Sequence, residues 1–172
     1  MREGVIHAGA AGDGALTFRQ WSKGIRIAQI AHLRAAAYYQ RMHQLLGIPV
    51  TVLTAVVGTS IFASIGESER KELLIAAGMT SALAAILSGV QTFLNFSELA
   101  VKHQGAGSKY GNLRRRVDEI MAVGYANGGF EALLHEVRDE WNRIEEESPT
   151  VAQRYMDQAV GIVRSAGADV PS

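Results

Sequence analysis

Residues 44–66 read QLLGIPVTVLTAVVGTSIFASIG and residues 73–97 read LLIAAGMTSALAAILSGVQTFLNFS, and neither stretch contains Asp, Glu, Lys or Arg. The interruption between them, Glu67-Ser-Glu-Arg-Lys-Glu72, is almost wholly charged. A bilayer core of about 30 Å is crossed by roughly 20 apolar residues in a helix. Both stretches meet that length, so the sequence predicts an all-α, integral membrane fold: a two-helix transmembrane hairpin with N-terminal and C-terminal cytoplasmic helices. The spans are expected at about 45–65 and 73–96.

The composition agrees once it is read locally. The chain has 172 residues, no cysteine and a formal net charge of zero. Zero net charge gives no global field for nucleic acid. Without cysteine there are no disulfides, thiolate metal sites or cysteine nucleophiles. Met1–Gly14 is rich in Gly and Ala, carries Arg2 and Glu3 and lacks the apolar core of a signal peptide. Residues 1–17 are therefore expected to be flexible, with one domain over 18–166 and a loose tail at 167–172. Within that domain, cytoplasmic helices are expected at about 18–44, 97–126, 130–147 and 149–165.

Before the first span, Phe18, Trp21, Ile25 and Ala28 recur at helical spacing. Trp21, Tyr38 and Tyr39 suit either packing on neighbouring helices or a membrane interface. Gly47 and Pro49 are read as a break at the entrance to the span, since Pro removes a donor and restricts the residue before it. Small residues recur every four positions along both spans: Gly47, Thr51, Ala55, Thr59 and Ala63, then Ala77, Ser81, Ala85 and Gly89. In lipid such stripes let helix backbones approach, so they predict packing of the two helices on each other or on further copies of the chain. A homo-oligomer embedded in a lipid bilayer is the expected assembly.

The second span ends in polar residues: Ser81 lies midway, and Ser88, Gln91, Thr92 and Asn95 cluster toward its end. Amides in hydrocarbon must be hydrogen-bonded, so these face a partner helix or line water. Asn95-Phe-Ser97 matches a glycosylation sequon, but its place at the membrane boundary makes that a chance match. Juxtamembrane cations, Arg34 and Arg41 before the first span and Lys102, Lys109, Arg114, Arg115 and Arg116 after the second, place both termini in the cytoplasm by the positive-inside rule.

Farther along, Gly105-Ala-Gly-Ser-Lys-Tyr-Gly111 does not match a phosphate loop and is expected to weaken the helix that contains it. Leu134, Val137, Trp141 and Ile144 form the apolar seam of an amphipathic helix. Glu136, Glu140 and Glu147 read as its solvated face, able to pair with basic stretches. Ser148-Pro149 has the form of a helix start. The next helix is expected to present Val151, Tyr155, Ala159 and Ile162. The histidines at 7, 32, 43, 103 and 135 lack metal-binding spacing and read as interfacial or solvent-facing. No catalytic motif occurs, so no enzyme activity, cofactor, metal or nucleic-acid partner is expected.

The order of short motifs resembles a known family. Leu46-Gly-Ile-Pro49, Val57-Gly-Thr-Ser-Ile-Phe62 and Gln91-Thr-Phe-Leu-Asn-Phe96 are followed by Ala100, His103, Tyr110 and Leu113-Arg-Arg115. Over about residues 25–164 this is similar to the SLATT family, the SMODS and SLOG-associating two-transmembrane effector domain. The resemblance implies a bacterial inner-membrane protein that forms pores or disrupts the membrane in anti-phage or other conflict systems. It further implies a trigger from a nucleotidyltransferase or a SLOG-type sensor, expected here as a separate polypeptide. Two alternatives stay open: a membrane-anchored interaction or signalling module without pore activity, and a soluble helical bundle with two buried helices.

Overall fold

The computed structural model describes residues 3–63, 71–123 and 130–168. Five helices make up the described residues, with no strand among them: α1 Glu3–Ala63, α2 Lys71–Leu94, α3 Phe96–Val123, α4 Phe130–Glu147 and α5 Gln153–Ala168. The all-α expectation holds. The turn expected at Glu67–Glu72 lies largely outside the described residues, since α2 opens at Lys71. The chain forms two units, Met1–Ala36 with Val101–Ser172, and Ala37–Ala100.

In the first unit the apolar stripes read from the sequence meet one another. Phe18, Ile25, Tyr110, Leu113, Val117, Val137 and Ile144 form its buried core, flanked by Trp21, Ala28, Leu134 and Trp141. The α4 seam is thus the buried face expected for it. Trp21 belongs to this packing, edge-on to Phe18 at 5.9 Å and to Trp141 at 6.3 Å between ring centroids. On α5 the buried positions are Tyr155, Ala159 and Val163. Val163 is the buried member of the last turn, and Ile162 is only half-buried.

Glycines set how closely helices meet in this unit. A Cβ on Gly107 would fall 2.8 Å from Leu33 Cδ2, and one on Gly111 would fall 2.7 Å from Gln29 Nε2. The Gly105–Gly111 stretch, expected as a weakened helix, lies inside the unbroken α3. Two of its three glycines are covered by side chains of α1, and that packing offsets their low helix propensity.

Three other expectations are corrected. α1 is already helical at Glu3, within the stretch expected to be flexible. The chain there carries Ala8, Ala10, Ala11 and Ala15, which favour helix. α1 also runs through Gly47 and Pro49 without a break, so 18–44 and 45–63 belong to one helix. Pro49 leaves the Leu45 carbonyl without its usual donor, a local cost of about 3 kcal/mol that long helix on either side confines to one turn. Ser148 does not start a helix: its hydroxyl donates to the Ile144 carbonyl at 2.5 Å, closing α4, and α5 begins only at Gln153. The acidic face of α4 is as expected: Glu136 and Glu147 are exposed, Glu140 is half-buried, and all three pair with basic residues. Arg116 reaches Glu136 at 2.5 Å and Glu140 at 2.9 Å, and Lys109 reaches Glu147 at 2.5 Å.

Candidate functional site

The second unit contains the two uncharged stretches and hardly any core. From Leu45 to Ser97, Ala84 is the one buried side chain among the described residues. Large apolar side chains stand exposed along both helices: Leu45, Ile48, Val52 and Val56 on α1, and Ile75, Met79, Leu83, Ile86 and Phe93 on α2. Each helix is long and apolar enough to cross a membrane.

Helical geometry, about 100° per residue, sorts each of these helices into three sectors. On α2 the covered sector is Ala77, Thr80, Ala84, Leu87 and Gln91, buried or half-buried at spacings of three and four. A second sector holds the large exposed residues Ile75, Met79, Leu83, Ile86 and Phe93, while exposed Leu74 lies outside it, seven residues before Ser81. The third, beside the covered sector, is small and hydroxylic: Ser81, Ala85, Ser88, Gly89 and Thr92, all exposed. On α1 the covered sector is Leu46, Val50, Leu53 and Val57, and the small flank is Thr51, Thr54, Ala55 and Gly58. Gly58, Gly78 and Gly89 each have open space where a Cβ would be.

This placement divides the predicted stripes. Gly47 and Ala77 lie at or beside the covered faces, Gly47 with its missing Cβ 3.2 Å from Gln91 Nε2. Thr51, Ala55, Thr59, Ser81, Ala85 and Gly89 are not covered by the chain itself. Packing of the two stripes against each other is therefore not realised at these positions. Ala63 closes α1.

The polar end of α2 is built around an open cleft of about 310 Å³ lined by His43, Ser88, Gln91, Thr92, Asn95, Phe96 and Ser97. Gln91 Nε2 lies 3.4 Å from His43 Nδ1, and Tyr39 stacks on Phe96 with centroids 6.1 Å apart. Gln91 is thus the interhelical member of the predicted set. Thr92 donates to the Ser88 carbonyl at 2.9 Å. Thr51, Thr54, Thr59 and Thr80 likewise donate to carbonyls one turn back in their own helices. Hydroxyls satisfied in this way tolerate an apolar solvent. Asn95 adopts φ 42°, the left-handed conformation that Asn accepts, and separates α2 from α3 while its amide donates to Glu98.

The cations expected beside the membrane separate by environment. Arg34 and Arg41 are exposed. In the first unit Lys109 and Arg116 are ion-paired as above, Arg114 lies 3.8 Å from Asp118, and Arg115 donates to Asn112. Arg115 and Arg116 are therefore bound to neighbouring polar groups, and Arg114 Nε only approaches Asp118 without a hydrogen bond. Lys102 is exposed.

Two further polar residues depart from expectation. His32 and His103, expected at an interface or in solvent, are buried in the first unit, with their Nδ1 atoms 3.1 Å apart. One ring must donate its Nδ1–H and the other accept. Tyr110 packs on His32 with centroids 5.4 Å apart. Burial, and then the neighbouring His103, lower the His32 pKa from 6.5 to about 4, and burial lowers that of His103. A signal is present in the sequence. His32 continues the Ile25, Ala28 stripe, and His103 heads a stripe through Ala106, Tyr110, Leu113 and Val117. Among the described residues there is no cluster of three metal-binding side chains.

No family model, curated protein or solved structure matches this chain.

Proposed function

We propose that the protein is an oligomeric membrane effector that forms pores or otherwise disrupts the bilayer. In this reading α2 and the part of α1 from about Leu45 onward insert as a transmembrane hairpin. The observation that carries it is the three-sector division of each apolar helix. Large apolar residues exposed in quantity suit lipid and argue against a soluble bundle, which would have to cover them. The exposed flank of small and hydroxylic residues suits close contact with further copies. Two helices cannot enclose a channel, so permeation requires such copies. With Gln91 engaged by His43, the wet surface of an assembled pore falls to Ser81, Ser88 and Thr92, with the Asn95 end at its mouth.

The motif order that resembles the SLATT family supports placing this activity in the bacterial inner membrane, with both termini cytoplasmic. It likewise supports a role in an anti-phage or other conflict system, triggered by a separate nucleotidyltransferase or SLOG-type sensor. The competing reading is a membrane-anchored signalling module, favoured by the ion-paired helical unit that could dock a partner.

Dye release from liposomes, measured beside the oligomeric state, tests the proposal. Ser88→Leu with Thr92→Leu should abolish release, and the oligomeric state of the variant separates loss of the water-lined path from loss of assembly. These positions are preferable to Asn95, whose left-handed φ makes any larger residue strained. A wild-type protein that inserts and assembles without releasing dye under activating conditions would sink the pore reading and leave the anchor.

A further inference from the structure

The first unit contains a second cleft, of about 540 Å³, between α1 and α5, lined by Arg19, Ser22, Lys23, Arg26, Val163, Arg164 and Gly167. Lys23 lies four residues after Arg19 and three before Arg26, and Ser22 lies three after Arg19 and four before Arg26, so the four share a face of α1. Arg164 comes from α5, one residue after the buried Val163. Four cations therefore converge on one concavity whose lining holds no carboxylate.

Their surroundings differ from those of Lys109, Arg114 and Arg116 in the same unit. Lys109, Arg114 and Arg116 each have a carboxylate within 4 Å. Arg19, Lys23, Arg26 and Arg164 have no ion pair among the described residues. The acidic group that reaches this face is Asp118, which accepts a hydrogen bond from Ser22 at 3.0 Å and is already 3.8 Å from Arg114. Four like charges held together on ordered helices repel one another, and an anion in the cleft would reverse that cost. Three guanidinium groups supply forked donors matched to phosphate oxygens, and a lysine adds a mobile point charge. The volume falls in the range of small-molecule sites.

We propose that this cleft binds a phosphate-bearing polyanion, with Arg19, Lys23, Arg26 and Arg164 as its charge-recognising residues. The chemistry is shared by a soluble compound with several phosphates and by an anionic lipid headgroup. A compact concave site commits it to a single multiply charged group rather than to the long backbone of a nucleic acid. The assignment does not depend on the pore reading, because binding is measured whether or not the protein permeabilises a membrane.

The test is calorimetric titration of the full chain with sodium tripolyphosphate in nanodiscs of phosphatidylcholine alone, repeated in nanodiscs containing phosphatidylglycerol. Saturable one-site binding is expected in the neutral discs. Arg26→Gln with Arg164→Gln should weaken it at least about tenfold, whereas Arg34→Gln, an exposed substitution on the same helix, should leave it unchanged. Arg19→Gln alone, at an exposed position that cannot unfold the core, should weaken it by a smaller factor. If a lipid headgroup is the occupant, tripolyphosphate binding should fall in the phosphatidylglycerol discs and recover on their dilution with phosphatidylcholine. Equal binding in both discs assigns a soluble ligand. Absence of saturable binding in neutral discs, or equal loss from Arg34→Gln and Arg26→Gln, overturns the site.

Discussion

His32 Nδ1 lies 3.1 Å from His103 Nδ1 with both rings buried, so the two imidazoles share one hydrogen bond across α1 and α3. The pair is stable only while at least one ring is neutral at Nδ1. The folded pKa of His32 is about 4, against 6.5 for an unperturbed histidine. Between those values the unfolded chain takes up a proton that the folded chain refuses. Stability is therefore unaffected above pH 6.5 and falls as the pH drops toward 4. From pH 6.5 to 5 the loss from His32 alone is about 2 kcal/mol, and His103, lowered in the same direction, adds to it. Thermal midpoints of the detergent-solubilised protein across pH 5–7.5 should show this slope. His32→Leu with His103→Leu should flatten it. An unchanged slope in that variant would assign the acid sensitivity to other groups.

The glycines of α3 make opposite predictions two residues apart. Gly105 has nothing within 4 Å of where a Cβ would lie, so Gly105→Ala should stabilise α3 by up to about 1 kcal/mol through helix propensity. At Gly107 the same methyl would lie 2.8 Å from Leu33 Cδ2 and 2.9 Å from Leu33 Cγ. Displacing a packed leucine costs typically about 1–3 kcal/mol, which offsets or exceeds the propensity gain. Denaturation midpoints should rise for Gly105→Ala and stay level or fall for Gly107→Ala. If both rise alike, α1 and α3 do not pack as closely as described.

That contrast also marks where the sequence was legible. Periodicity identified the seams, because burial follows helical spacing: Phe18, Ile25, Val137 and Ile144 are all in the core. It misjudged Gly107 and Gly111, whose meaning lies in what another helix places over them. The same holds for His32 and His103, which pattern puts on buried stripes but which residue type alone assigns to the surface. Pro49 does not break α1, since one missing hydrogen bond does not end a helix continued on both sides. For the candidate site, the small and polar residues of α2 were visible in the sequence. Which of them face the chain itself was not, since one residue of helical phase separates the covered Ala84 from the exposed Ala85.

Arg116 is held by Glu136 and Glu140 on α4, and these partners raise its pKa above the ordinary arginine value, the Glu136 hydrogen bond most. Its side chain is 41% exposed, so water and salt screen the attraction. Arg116→Gln should cost about 1 kcal/mol or less. It leaves two carboxylates four residues apart on one helix, a mildly repulsive pair. Most of the loss should disappear in concentrated salt. A large, salt-independent loss would mean that the arginine stem packs more than its charge pairs.

The small-residue flank of α2 gives the most direct test of assembly, because the chain has no cysteine and any introduced thiol is unique. Ser81 and Ala85 lie on the exposed small flank, and Leu83 and Ile86 on the large apolar face. If copies meet through the flank, Ser81→Cys and Ala85→Cys should form disulfide-linked dimers in membranes under mild oxidation. Two thiols bridge only when their Cα atoms approach within about 7 Å, a separation that small residues permit and that Leu or Ile on a lipid face does not. Leu83→Cys and Ile86→Cys should remain monomeric on a non-reducing gel, and Ala84→Cys, covered by its own chain, should be slow to react. Cross-linking at Ile86 without cross-linking at Ser81 would place the large apolar face between copies and the small flank toward lipid. That arrangement would remove Ser88 and Thr92 from any aqueous path.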